Sequence, residues 1–284
     1  MTQFGLILPN YDSPANTPAG LRAAAQAAEA AGFDSVWTTD HVLVPDVERA
    51  APYKHLTEAL MTLGYLAGRT ERVRLGTSVI VLPMRNPVLL AKQVAALDYL
   101  SGGRVTLGVG VGWNATEYGF LNADFKRRGR RADEYIQAMR ALWQSGEYAE
   151  FHGETVSFSG AVFNPKPVQP GGPPIWIGGV SDAALRRAAT LGDGWQPSGG
   201  IEPEGIADAV SRLRQMAGQR RLTISARFRV DLSAGTEAAI ARVRAYLSAG
   251  VAYPVVHLPH DSADDLAARI AQFGREVIPA VGDD

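Results

Sequence analysis

The chain of 284 residues contains no cysteine, which excludes disulfide bonds, thiolate catalysis and thiolate metal sites. No uncharged apolar run is long enough to span a membrane, and the first residues do not form a charged and apolar leader. The formal net charge is -1 and the one basic run, 126–131, is short, so neither nucleic acid nor a membrane is expected as a partner. We therefore expect a cytoplasmic protein.

Motifs of hydrolytic and metal-dependent enzymes are also missing. No His-Glu-x-x-His pattern occurs, and His55, His152 and His260 do not have the spacing of metal ligands. Neither a Gly-x-Ser-x-Gly turn nor a Gly-x-Gly-x-x-Gly dinucleotide motif is found. We therefore expect no metal site and no nucleophilic hydrolysis.

Short apolar, β-prone segments alternate with helical patterns along the chain. The strands are predicted at 4–8, 34–38, 73–82, 104–110, 175–177, 194–196, 222–232 and 253–258. Helix caps are predicted at Thr17, Asn86, Ser181, Thr236 and Ser262. Eight strands and eight helices favour an α/β fold, a (β/α)8 TIM barrel in one domain, 1–284; a doubly wound sheet is the alternative.

Three connecting segments have no helical or strand pattern of this kind. Residues 42–55 are expected to form a loop, and 112–126 an irregular segment. Residues 151–170 are rich in Phe, Gly and Pro, which indicates an extended excursion before the fifth strand.

The segment 173–189 combines a strand, a glycine turn and a helix start. Ile175 to Ile177 form the strand, Gly178-Gly179 the turn, and Ser181 the cap of the next helix. Backbone N–H groups at such a helix start suit a phosphate group. The alternative is that the two glycines make only a tight connection.

In a barrel, the carboxyl ends of the strands surround one mouth, where chemistry is expected. Asp40 and His41 follow the second strand, so the carboxylate is a candidate to orient a proton-transferring imidazole; the alternative is two ordinary loop residues. Glu117 is a candidate acid or base, or else a solvated loop carboxylate. His257 on the eighth strand faces either this mouth or the core.

Aromatic and basic residues give further candidates with two interpretations each. Trp113, Trp176 and Trp195 lie near strand ends, where they stack on a flat cofactor or fill the core. The basic run 126–131 attracts an anionic cofactor tail or forms a solvated helix start.

Four segments carry a resemblance to a known family. They are Ala-Gly-Phe-Asp-Ser-Val-Trp at 31–37 leading to Asp40-His41, Leu-Gly-Thr-Ser-Val at 75–79, Leu-Ser-Gly-Gly-Arg at 100–104 leading to Gly-Val-Gly-Trp at 110–113, and Trp-Ile-Gly-Gly at 176–179. In this order they resemble the bacterial luciferase-like flavin oxidoreductases, in particular the branch that depends on the deazaflavin coenzyme F-420.

The resemblance implies a (β/α)8 barrel that binds coenzyme F-420 or FMN at its mouth, and a homodimer. It implies that the cofactor-binding residues are Asp40, His41, Ser78, Val79, Gly112, Trp113, Gly178, Gly179, Val180 and Ser181. Within this set, the turn from Gly178 to Ser181 corresponds to the phosphate site, and Ser78-Val79 to a non-prolyl cis peptide behind the ring.

One residue departs from the family pattern. Trp113 stands where the sugar-phosphate dehydrogenases of the family have a catalytic Glu, so a different substrate is expected. His41 is then the first candidate for the proton donor, and Glu117 the second.

The expected function is hydride transfer between reduced coenzyme F-420 and an unidentified small organic substrate. One alternative is an FMN-dependent monooxygenase that uses reduced flavin, oxygen and a separate cofactor reductase. A further alternative is a non-redox barrel enzyme acting on a phosphorylated substrate, and a non-catalytic cofactor-binding protein is the last.

Overall fold

The computed structural model describes residues 2–197 and 199–282, so Met1, Ser198, Asp283 and Asp284 of the predicted domain lie outside the described residues. The described strands are β1 (Gly5–Ile7), β2 (Ser35–Thr38), β3 (Arg74–Thr77), β4 (Ile80–Val81), β5 (Val105–Gly110), β6 (Ala149–His152), β7 (Ser157–Ala161), β8 (Ile175–Ile177), β9 (Gly194–Trp195), β10 (Thr223–Arg229) and β11 (Tyr253–His257). The described helices are α1 (Pro18–Ala30), α2 (Ala59–Ala67), α3 (Pro87–Ser101), α4 (Ala115–Phe120), α5 (Arg128–Gln144), α6 (Asp182–Leu191), α7 (Pro203–Ala217), α8 (Thr236–Ser248), α9 (Ala263–Gln272) and α10 (Ile278–Val281).

The parallel strands close into a barrel. The order is β3-β2-β1-β11-β10-β9-β8-β5-β4, and β3 also pairs with β5, where Leu75 lies opposite Val105. Since β3 and β4 are two parts of one barrel strand, the ring has eight strands, with helices between them. This confirms the (β/α)8 barrel, because an open doubly wound sheet would keep two free edges.

Four of the five predicted side-chain caps are present at the start of a helix. An oxygen of the capping side chain accepts a hydrogen bond from a backbone N–H of the same helix at Thr17, Asn86, Ser181 and Ser262. The prediction at Thr236 is wrong: Gly235 precedes α8, and the Thr236 hydroxyl donates instead to Glu276. A partner 40 residues away along the chain therefore competes with the local cap.

The third predicted strand, 73–82, is not continuous. It is divided into β3 and β4 by a cis peptide bond between Ser78 and Val79, as the family resemblance implies. Beyond this bond, Ile80 pairs with Val109 of β5, so the strand continues in the barrel wall.

The connecting segments contain more structure than predicted. A 3-10 helix, Glu48–Tyr53, lies within the predicted loop 42–55. The segment 112–126 is not irregular, because the Asn114 side chain accepts hydrogen bonds from the N–H groups of Thr116 and Glu117 and starts α4. The excursion before the fifth barrel strand is confirmed, and it is an antiparallel hairpin of β6 and β7.

Two indole rings fill part of the barrel interior. Trp37 stacks on Trp176, with ring centroids 4.9 Å apart, and Tyr253 packs edge-on against both. The Trp37 Nε1 and the Tyr253 hydroxyl both donate to Ser35 Oγ. Trp176 therefore fills the core and does not reach a cofactor, because both of its aromatic neighbours are buried barrel residues.

Two features are absent from the residues that the structure describes. Within 2–197 and 199–282, no helix combines the length and the apolar character that crossing a membrane requires. In the same ranges, no group of three or more His, Asp or Glu side chains is arranged to hold a metal ion.

Gly76 leaves the space that the Trp37 ring occupies, since a Cβ atom there would lie 2.2 Å from a ring carbon. We expect Gly76→Ala to lower the free energy of unfolding by about 1–3 kcal/mol through overpacking. Urea unfolding, followed by tryptophan fluorescence, measures this loss.

Gly64→Ala is the matched control for this substitution. Gly64 lies on the exposed face of α2, and an added Cβ meets no atom within 4 Å. The control is expected to raise the free energy of unfolding by about 0.5–1 kcal/mol, because alanine restricts the unfolded chain and favours the helix. Similar effects of the two substitutions would contradict the packing argument.

Candidate active site

A cavity of about 250 Å³, here called the turn cavity, opens at the carboxyl ends of the barrel strands. It is lined by Thr39, Asp40, His41, Arg49, Tyr53, Ser78, Val79, Val81, Gly110, Val111, Gly112, Trp113, Gly178, Gly179, Ser181, Ala184 and Arg227. The structure thus brings together nine of the predicted site residues from four strand ends. Val180, which is 43% exposed, and Glu117 do not line this cavity.

The Gly178–Ser181 turn has the geometry of an anion site. Gly179 has a φ of +99°, and Ser181 Oγ accepts the N–H of Ala184 at 3.3 Å to cap α6. The Trp195 indole donates a hydrogen bond to the carbonyl of Gly179 at 2.8 Å, and this bond holds the turn in place. The helix start leaves N–H groups unsatisfied at the cavity, where a phosphate group would fit. Trp195 is fully buried and supports the turn, so it is not a stacking platform.

The Asp40 carboxylate holds the backbone beyond the cis bond. Its Oδ2 accepts the N–H of Val81 at 2.9 Å, and its Oδ1 lies 2.6 Å from Arg85 Nη2. The side chain is 2% exposed, and Arg85 balances its charge. The prediction that Asp40 orients His41 is wrong, because the bonds of the carboxylate go to these two groups.

The carboxylate that orients His41 belongs to Glu117. Its Oε2 lies 2.6 Å from His41 Nδ1, and its Oε1 accepts the N–H groups of Val42 at 2.7 Å and Leu43 at 3.3 Å. Glu117 is 1% exposed, so it is not a solvated loop carboxylate. Burial raises its pKa, but the hydrogen bonds from His41 and the backbone outweigh this and lower the pKa of the Glu117 carboxyl group.

This contact fixes the proton position on the His41 ring. An ionised carboxylate can only accept, so Nδ1 carries a proton and Nε2 is the ring atom available to the turn cavity. Glu117 is ionised at neutral pH and does not line the cavity, so the geometry does not support it as the proton donor.

The sequence contained a local signal that Glu117 belongs to a helix. Asn114 and Glu117 have the spacing of a helix cap and the third residue of that helix.

Trp113 and the basic run have different positions relative to the cavity. The Trp113 ring lines it, with the Arg49 guanidinium 4.2 Å from the ring centroid and His41 edge-on at 5.9 Å. The basic residues 126–131 do not line it. Arg127 pairs with Asp124 and Glu154, which agrees with a solvated helix start at this residue.

A second cavity of about 220 Å³, here called the Tyr11 cavity, adjoins the first. The two share Thr39, Tyr53 and Arg227. His257 lines the Tyr11 cavity, so it faces the mouth, and its Nε2 lies 2.7 Å from the Tyr11 hydroxyl. Burial, and secondarily the charge of Arg227, lowers the pKa of His257 to about 4, so the ring is neutral at physiological pH.

Sequence reasoning missed Tyr11 and Arg227. For Arg227 a signal was present, because it alternates along β10 with the fully buried Ser225 and therefore points to the barrel interior. A charged side chain at an interior position of a barrel strand indicates a functional site. For Tyr11, which follows a short first strand, the sequence contains no such signal.

Comparison with known proteins agrees with this architecture. The model of the luciferase-like monooxygenase family matches residues 2–283. The crystal structure of the monooxygenase RslO1 from Streptomyces bottropensis has a TM-score of 0.83 at 19% identity, covering 98% of this chain and 99% of that one. At this identity the likeness shows the fold alone.

Two curated relatives are closer in sequence. An uncharacterised protein from Mycobacterium tuberculosis is 39% identical over 209 residues, which cover 69% of this chain and 71% of that protein. The F-420-dependent glucose-6-phosphate dehydrogenase from Nakamurella multipartita is 34% identical over 200 residues, 68% of this chain and 56% of that protein. Because the family model spans nearly the whole sequence, the chain belongs to the luciferase-like monooxygenase family.

Proposed function

We propose that the chain is an oxidoreductase that transfers a hydride between coenzyme F-420 and a small organic substrate at the mouth of the barrel. The observation that carries the proposal is the turn cavity. It combines a glycine turn at a helix start, the Ser78–Val79 segment and a histidine held by a buried carboxylate. The related F-420-dependent dehydrogenase from Nakamurella multipartita supports the choice of coenzyme.

The residues of the turn cavity fit such a coenzyme. Gly179 and Val180 have N–H groups without a partner among the described residues, and the Ser181 hydroxyl keeps its proton free to donate because its oxygen accepts from Ala184. These groups would hold the phosphate. A side chain at Gly179 would crowd Ala184, with Cβ atoms 3.1 Å apart, so the cradle depends on glycine.

The hydride chemistry is supplied by the deazaflavin ring of the coenzyme when it is bound. The chain supplies the proton handling: His41 holds or releases a proton at Nε2, while Glu117 fixes the orientation of the ring. Val42 and Leu43 hold Glu117 in turn through their backbone N–H groups. The acid–base group is therefore rigid and already oriented toward the cavity.

A reduced-flavin monooxygenase is the second candidate function. It is favoured by the family model, which is that of luciferase-like monooxygenases, and by the likeness to RslO1. The same turn would hold the single phosphate of FMN, and a separate reductase would then supply reduced flavin. The non-redox barrel enzyme has no support among these relatives. The homodimer and the cytoplasmic location stay predictions.

Ser181→Ala removes one proposed phosphate donor together with a helix cap. We expect the dissociation constant for coenzyme F-420 to rise by roughly 10–100-fold, as for a hydrogen bond to a charged group, and the free energy of unfolding to fall by about 1 kcal/mol. Quenching of the coenzyme fluorescence measures the affinity.

Ser262→Ala is the control, because Ser262 caps α9 in the same way and does not line the turn cavity. It is expected to cost the same stability and to leave the affinity for the coenzyme unchanged. An equal loss of affinity in both variants would remove the phosphate assignment.

His41→Asn removes the proposed acid–base group while keeping a polar side chain. We expect hydride transfer to slow by roughly 100-fold or more, with the affinity for the coenzyme changed only a few-fold. The measurement is stopped-flow oxidation of reduced coenzyme F-420 by the substrate that an anaerobic screen identifies. The exposed His55, mutated to Asn, is the control and should keep the full rate. An unchanged rate in His41→Asn would exclude this residue from the chemistry.

A further inference from the structure

The Tyr11 cavity has no role in the proposed handling of the coenzyme. Among the described residues, its lining contains two arginines, Arg227 and Arg229, and no acidic residue. Arg229 is paired with Asp231 at 3.0 Å, whereas Arg227 has no carboxylate partner among the described residues. The positive charge of Arg227 is therefore uncompensated by the part of the chain that the structure describes.

The guanidinium of Arg227 is held by one of its nitrogens only. Its Nη1 donates to the carbonyl of Ser78 at 3.0 Å and lies 3.2 Å from Thr39 Oγ1. The other edge, formed by Nε and Nη2, has no hydrogen-bond partner among residues 2–197 and 199–282. Gly199, which lines the cavity, lies beside this edge. A Cβ atom added to Gly199 would be 3.3 Å from the Nε of Arg227.

We infer that the Tyr11 cavity binds the organic substrate by an anionic group, a carboxylate or a phosphate monoester, which the Nε and Nη2 edge of Arg227 holds in a bidentate contact. A planar guanidinium fork matches two oxygens of such a group, and none of the described residues competes for this edge. This inference rests on the proposed function, because it identifies the ligand of the adjoining cavity as the substrate.

The position of Arg227 links the two cavities. It lines both of them, and its bond to Ser78 places it against the segment that the resemblance sets behind the coenzyme ring. Ser181 lines the turn cavity and not the Tyr11 cavity, so an anion that Arg227 holds in the Tyr11 cavity is separate from the phosphate site.

The remaining walls define the uncharged part of the ligand. Ile7 and Pro52 give an apolar surface, and Tyr11 with the neutral His257 gives one polar edge. A neutral imidazole neither repels nor neutralises an organic anion. The cavity therefore fits a compact acid with an apolar or aromatic body and at most a few further polar groups.

The test is calorimetric titration of the full chain with benzoate and with benzamide, which has the same shape and no charge. Phenyl phosphate is titrated in parallel, and each probe is measured with and without saturating coenzyme F-420. Benzoate or phenyl phosphate is expected to bind about tenfold or more tightly than benzamide, as for a charge-assisted bidentate contact, and the coenzyme should not displace it. The tighter of the two anions identifies the substrate as a carboxylate or as a phosphate ester.

Three variants assign the effect to Arg227. Arg227→Gln is expected to abolish the preference for the anion, and Arg227→Lys, which keeps the charge without the fork, to retain part of it. Arg275→Gln removes the same charge at an exposed position outside both cavities and should retain the whole preference. Circular dichroism establishes that each variant is folded.

The inference would be overturned by equal affinity for benzoate and benzamide, by no binding of either anion, or by displacement of the anion by the coenzyme. An anion preference that survives Arg227→Gln would overturn it as well. Failure of the chain to bind coenzyme F-420, with the anion preference and its loss in Arg227→Gln intact, would instead overturn the proposed redox function alone.

Discussion

Closure of the parallel sheet is the constraint on which the site depends. The pairing of β3 with β5 completes the ring, and only a complete ring brings the ends of β2, β4, β5 and β8 to one mouth. The stacked indoles of Trp37 and Trp176 fill the interior of that ring, and Ile7 connects their cluster with the lining of the Tyr11 cavity. The residues at the mouth are therefore positioned by the barrel strands and by the packed barrel interior, and not by the loops alone.

The charges at the mouth follow a consistent arrangement. The two buried carboxylates are satisfied within the protein: Asp40 by Arg85 and a backbone N–H, Glu117 by His41 and two backbone N–H groups. Each of their carboxylate oxygens has a partner within the protein, so both groups hold neighbouring groups in position. Arg227, in contrast, has an edge without a hydrogen-bond partner in residues 2–197 and 199–282. Arg227 is half-buried and lines both cavities, so its guanidinium is the group at the mouth to which we propose that an anionic ligand binds.

Features with a local cause could be predicted from the sequence. The Ser181 cap and the glycine turn are set by residues a few positions apart, and the alternation of strands and helices follows from periodicity over short windows. The contact of His41 with Glu117 could not be predicted, because 76 residues separate the pair and only the folded barrel brings them together. The neighbour of His41 in the sequence, Asp40, was the natural candidate, yet its carboxylate is held by Arg85 and by the N–H of Val81.

The most direct measurement is a fluorescence titration of the purified chain with coenzyme F-420 and with FMN, each in its oxidised and reduced form. If the turn cavity binds the deazaflavin for hydride transfer, coenzyme F-420 should bind with a dissociation constant about tenfold or more below that of FMN. Tighter binding of FMN would contradict the assignment of the coenzyme and favour the monooxygenase. Binding of neither would contradict the identification of the turn cavity as a cofactor site.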